Sequence, residues 1–324
     1  HNQKPWIAMS LQILITTFES VALLLGVGVL GLWIISKRML PQEALGTLST
    51  LALDIALPSL VFVQIIENFK PSQFPGWWLL PVWWLGFTAW QGGLTVCFSR
   101  LARQNTRREF AVSLFFQNAL FFPLAILSGM FGADSHYIVQ LFFFILFFPS
   151  LLFSTAHLFF GQSQKALDWS KILNKVFLAT IAAASLRLLG IEHFIPDFVI
   201  SALDMIGGMA LPLLLLILGG NLYVDFQGKG SLYPLEVGKF LLVKNFVFPV
   251  LTLCFLVLLR PPYHIALLIL LEASVPPITA IPILTGREGG NRDIVNQFLF
   301  SSFAVSLISI PLMIGLFNLY FQSP

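Results

Sequence analysis

The feature that most limits what this chain can fold into is the regular return of apolar stretches about 20 residues long, set apart by short runs that gather most of the charge. A helix of that length rises about 30 Å, the thickness of a bilayer's hydrocarbon core. Lipid offers no hydrogen bonds to a backbone, so such stretches must satisfy their own N–H and C=O groups as helices. Only 10% of the 324 residues are charged, against about 25% in a soluble domain, and mean hydropathy is +0.86. The expected fold class is an all-α integral membrane protein.

Ten spans are predicted: Leu11–Ile35, Thr47–Ile66, Trp77–Phe98, Glu109–Phe131, Tyr137–Phe160, Ile172–Leu189, Val199–Leu222, Gly238–Leu259, Tyr263–Leu284 and Ile294–Phe317. Lys and Arg alternate across the connecting loops. Thirteen fall in the odd-numbered loops, among them Lys37, Arg38, Arg100, Arg103, Arg107, Arg108, Arg287 and Arg292; four (Lys4, Lys70, Arg187, Arg260) fall on the other side, and Lys244 lies within a span. Basic loops stay in the cytoplasm, which places both termini outside the cytoplasm, in the inner membrane if the cell is prokaryotic. Residues 1–10 read as a tag or disordered N-terminus and 318–324 as a tag remnant. Between them lie a five-helix unit (11–160), a cytoplasmic linker (161–171) and a second five-helix unit (172–317). Trp77, Trp78, Trp83 and Trp84 read as interfacial anchors, and the 33 Phe residues as lipid-facing bulk.

The two units show internal similarity. Ala56-Leu57-Pro58 recurs as Ala210-Leu211-Pro212, an offset of 154, and the same offset carries Asn118 and Pro123 onto Glu272 and Pro277. Units with an odd number of spans must lie upside down relative to each other, and inverted repeats with interrupted helices mark secondary transporters. Proline removes one helical N–H and frees the carbonyl four residues earlier. The ninth span carries Pro276, Pro277 and Pro282, so it is predicted to break. The fresh helix N-terminus beyond suits a carboxylate.

Four ionisable groups fall within spans: Asp54, Asp204, Lys244 and Glu272. Such groups face a cavity or a partner. Lys244 and Glu272 sit in adjacent spans and are expected to pair, either as helix glue or as a coupling device, with Asn245 beside them. Asp54 and Asp204 lie nearer span ends. Gln117 and Asn118 supply neutral donors just before Pro123, suited to a substrate carboxylate or to an interhelical hydrogen bond. Gly219-Gly220-Asn221 reads as close helix packing plus a C-terminal cap. Cys97 and Cys254 lack metal-site spacing and read as packing residues. No phosphate-binding loop or metal-binding His pair occurs, so neither metal, cofactor nor enzymatic activity is expected.

At these residues the chain resembles the auxin efflux carrier family, in the broad sense that includes plant PIN and PIN-like carriers and bacterial members. The resemblance rests on Ala56-Leu57-Pro58-Ser59-Leu60, Gln117 through Leu124, Leu216 through Leu222, and Val275-Pro276-Pro277-Ile278-Thr279. It implies two inverted five-helix repeats whose broken fourth and ninth helices cross at Pro123 and Pro277. Asn118 would then contact the substrate carboxylate, near Thr279, with Glu272 as its counterpart in the second repeat. Family members often have Gly where this chain has Phe121-Phe122.

The function expected is a secondary active carrier moving a small carboxylate by alternating access, driven by a proton, a sodium ion or the substrate gradient. Its other partners would be the lipid bilayer and a second copy of the chain, with no nucleic acid. The alternatives are a sodium-coupled symporter of the bile-acid transporter type, or a non-transporting sensor that has kept the carrier fold.

Overall fold

The fold is that of a computed structural model, which describes residues 4–161, 174–226 and 231–321. The expected linker at 161–171 lies almost wholly outside the described residues, as do residues 1–3 and 322–324 of the expected tags. Helices stand at each of the ten segments read from the sequence. We number them α1 (Lys4–Ser36), α2 (Ala44–Asn68), α3 (Leu80–Phe98), α4 (Arg107–Phe115), α5 (Phe121–Phe131), α6 (His136–Phe144) and α7 (Phe148–Thr155). After these come α8 (Lys175–Leu189), α9 (Asp197–Gly207), α10 (Ala210–Phe226), α11 (Pro234–Leu259), α12 (Tyr263–Ser274), α13 (Ile281–Arg287) and α14 (Arg292–Tyr320).

Six helical stretches are long and apolar enough to cross a membrane as they stand: Leu14–Ser36, Ala44–Asn68, His136–Phe160, Asp197–Val224, Pro234–Leu259 and Arg292–Tyr320. Of the other four segments, the fourth and ninth are broken. The sixth, α8, has only 15 residues, and the third carries Gln91 and three glycines in its apolar run. The first helix reaches back to Lys4, so residues 4–10 extend α1.

Proline shapes two of the long helices. In α2 the backbone opens into a wide turn at Ala52–Ala56, immediately before Pro58; in α11 it does so at Leu242–Val247, before Pro249. A residue without an N–H cannot close the normal turn, and the widened turn accommodates the loss.

The first, second, sixth and seventh segments pack on one another, α1 against α10 and α2 against α8 and α9. Close approach needs small residues. A Cβ on Gly219 would collide with the Gly28 carbonyl, and one on Gly31 with the Leu216 carbonyl. Gly219-Gly220-Asn221 is therefore a mid-helix contact; α10 runs on to Phe226, so the expected cap does not exist. The third to fifth segments pack with the eighth to tenth, around rings that are interior rather than lipid-facing. Phe110, Phe240 and Phe298 are all buried, the last two stacked with centroids 4.4 Å apart. Trp84 is buried as well, whereas Trp78 is exposed. Both cysteines are exposed rather than packed inside.

Candidate functional site at the crossing of two broken segments

Helix α4 stops at Phe115 and α5 begins at Phe121; α12 stops at Ser274 and α13 begins at Ile281. The two interruptions lie side by side, antiparallel, with Gln117 opposite Pro277. Asn118 N donates to Pro276 O at 2.8 Å, and Ile278 N donates to Phe116 O at 3.0 Å. An interrupted helix in the interior would leave backbone groups without partners, each at a cost of a few kcal/mol. Here each break supplies the other's partner. Pro277 fits because the pairing asks no N–H of it.

The reciprocal bonds relate position 118 to 278 and 116 to 276. The spacing at the crossing is thus 160, not the 154 suggested by the Ala-Leu-Pro repeat. Asn118 therefore has Ile278 as its counterpart. The ends of α4 and α12, Phe115 and Ser274, place Glu272 level with Ser113 instead. Pro123 is not at the crossing either; it lies in the first turn of α5, as Pro282 lies in that of α13. In both, the missing N–H falls where a helix has no internal acceptor to lose.

Asn118 is buried, and its Oδ1 accepts from Phe121 N at 3.2 Å, which holds the start of α5. Its Nδ2 has no partner. Gln117, also buried, donates from Nε2 to Glu272 Oε2 at 3.2 Å, leaving Glu272 Oε1 unpartnered. Lys244 is fully buried in the wide turn of α11; its Nζ has no hydrogen-bond partner and lies 5.9 Å from the centre of the Phe248 ring. The expected direct pair of Lys244 with Glu272 is absent; Gln117 takes the carboxylate instead. Thr279 is half-buried in the turn before α13.

The remaining sequence candidates lie elsewhere. Asn245 is spent on α14: its Nδ2 donates to Ser302 O at 3.2 Å and Ser309 Oγ at 3.3 Å, and its Oδ1 accepts from Ser302 Oγ at 2.8 Å. Asp54 pairs with Lys175 at 3.1 Å, both partly exposed, and Asp204 is exposed. Asn221 is half-buried in α10. None of these four meets the crossing.

One residue of the crossing escaped the sequence reading. In an unbroken helix Asn118 N would bond Leu114 O; that carbonyl is instead taken by Gln91 Nε2 of α3 at 3.0 Å. Gln91 is buried, with its Oε1 unpartnered. A glutamine inside an apolar span was the available signal. The space bounded by Gln91, Phe116 and Gln117 is about 10 Å³, room for one water at most.

A family model described as membrane transport protein matches residues 16–171 and again 159–314, almost the whole chain. The protein belongs to this family, that of the auxin efflux carriers. As a family member it is an integral membrane transporter. A comparison with curated proteins gives no significant match.

Proposed function

We propose that this transporter is a secondary carrier for a small organic carboxylate, built from ten spans in two inverted five-helix repeats, with both termini outside the cytoplasm. The observation that carries the reading is the pair of broken segments bonded through Asn118, Pro276, Phe116 and Ile278, beside two buried donors with no partner, Asn118 Nδ2 and Lys244 Nζ. Unsatisfied buried donors cost free energy, and a carboxylate supplies the acceptors both lack. Polar groups at a helix interruption are how carriers present a site in the hydrocarbon region without exposing backbone to lipid.

Asn118 and Lys244 are both buried, so an organic acid reaches them only if the site opens to one side and then the other, as alternating access requires. Charge balance adds a coupling step. Lys244 and Glu272 together are neutral; an incoming anion leaves the pocket one negative charge in excess, and an uncompensated buried charge costs several kcal/mol. Protonation of Glu272 restores neutrality, so substrate and proton travel together. Purified protein in liposomes, offered radiolabelled mono- and dicarboxylates, tests the reading. Saturable uptake of at least one acid is expected, and uptake no faster than through protein-free liposomes for every acid would remove it.

A further inference from the structure

We propose that the basic patch where α3 ends and α4 and α11 begin is a docking surface for the headgroup of an anionic phospholipid. Arg100, Arg103, Arg107 and Arg108 fall within the stretch 100–108, and all four are exposed. Glu236, near the start of α11, is 2% exposed and already committed. Its Oε1 meets Lys239 Nζ at 2.9 Å and Arg103 Nε at 3.7 Å, and its Oε2 accepts from Arg103 N at 3.2 Å and Thr106 Oγ1 at 3.3 Å. Glu109 is buried and accepts from Asn291 N at 2.8 Å. Arg100, Arg107 and Arg108 therefore have no acidic partner among the described residues.

The neighbours of these arginines specify the partner. Val96, Leu101, Leu235 and Leu242 are each more than half exposed. On α11, Leu235, Lys239 and Leu242 recur at helical spacing along one face. Lys239 Nζ donates to Leu101 O at 3.0 Å, fastening the loop beside that face. In a membrane protein exposed leucines meet acyl chains, and cations at their edge meet headgroup phosphates. A guanidinium offers paired N–H groups that match phosphate oxygens. Charge asymmetry between loops requires only that the arginines be present; it asks for neither the buried Glu236 that shapes the loop nor the leucines. Arg107 and Arg108 also occupy the first turn of α4, where a cation opposes the helix dipole. A soluble phosphate would use the arginines and leave the leucines without a role. A phospholipid uses both.

The patch has a mechanical link to the crossing. Helix α4 runs from Arg107 to Phe115, where the first interruption starts, so a lipid held at Arg107 and Arg108 steadies one end of a broken segment. The inference stands apart from the transport reading. It concerns a different surface, and its test needs no transported substrate.

The test uses purified protein in an uncharged detergent, titrated with phosphatidylglycerol or with phosphatidylcholine of the same acyl chains. Retained lipid is counted by mass spectrometry of the intact protein. Saturable retention of phosphatidylglycerol is expected at concentrations where phosphatidylcholine is not held. Arg100→Gln, Arg107→Gln and Arg108→Gln should each raise the half-saturating concentration about fivefold, one surface cation's share of the attraction to anionic lipid. The three together should abolish the preference for phosphatidylglycerol. Lys37→Gln combined with Arg38→Gln, a loss of charge in another loop, should leave it unchanged. All five side chains are exposed, and the single variants carry the test if the triple variant fails to fold. Four results would overturn the proposal. Equal retention of the two lipids is one, and a preference kept in the triple variant is another. A preference lost equally in the Lys37 and Arg38 variant would make it a property of net charge. Displacement by inorganic phosphate, but not by sodium chloride of equal ionic strength, would assign the patch to a soluble anion.

Discussion

Gln117 Nε2 donates to Glu272 Oε2 at 3.2 Å, a bond between the two broken segments at the point where their backbones also pair. It ties the one buried carboxylate of the crossing to a neutral amide, and leaves the nearby Lys244 ammonium open.

That arrangement bears on coupling. If Glu272 takes up the proton that balances an incoming anion, Glu272→Gln should still exchange labelled for unlabelled substrate but should not accumulate it when a pH gradient is imposed across the liposome. Because the amide keeps the shape and one acceptor, the protein should fold. Full pH-driven accumulation in Glu272→Gln would reduce the residue to a structural partner of Gln117.

Asn245 separates helix glue from coupling. Its amide makes three contacts with Ser302 and Ser309, so Asn245→Leu should lower stability by about 1–3 kcal/mol as buried partners lose their bonds. The response of transport to pH, per folded molecule, should match the parent. A lower thermal midpoint with an unchanged pH profile is the expected pair of readings. A shifted pH profile would return Asn245 to the coupling machinery.

The contact between α1 and α10 gives a test of packing. Gly219 lies against the Gly28 carbonyl with no room for a Cβ. Gly219→Val should therefore cost about 1–3 kcal/mol through overpacking, seen as a lower midpoint in a thermal melt monitored in detergent. An unchanged midpoint would mean that the two helices separate freely.

Particular residues show what the sequence carried and what it withheld. The apolar stretches gave helix positions to within a few residues, because a bilayer-length apolar run has one backbone solution. The double proline marked the break before α13, since missing N–H groups are visible in the letters. The register between the breaks was not visible: it is set by which carbonyl faces which amide, and the Ala-Leu-Pro repeat pointed to Glu272 where the bonds Asn118 N to Pro276 O and Ile278 N to Phe116 O make Ile278 the counterpart of Asn118. Lys244 and Glu272 were legible as buried charges, but not that Gln117 would take the carboxylate first. Gln91 was passed over because a lone amide in an apolar run looks like packing until the carbonyl it caps, Leu114 O, is known to be free.

Orientation rests on the distribution of Lys and Arg. A reporter active only outside the cytoplasm, fused after the last helix, should be active, and one active only inside should not. The reverse pattern would turn the protein over and exchange the two faces of the crossing.

The most direct measurement concerns Asn118. Asn118→Asp keeps an oxygen to accept from Phe121 N, as Oδ1 does at 3.2 Å, but replaces the unpartnered Nδ2 donor with a negative oxygen. The start of α5 is retained while the proposed carboxylate contact becomes a repulsion. Liposomes preloaded with a transported acid and diluted into its labelled form should show rapid counterflow with the parent protein. With Asn118→Asp, counterflow should fall at least about tenfold, the loss of one charge-assisted hydrogen bond, with a thermal midpoint close to the parent's. Counterflow at the parent rate in a folded Asn118→Asp protein would contradict the account, because the substrate would then not meet the crossing at Asn118.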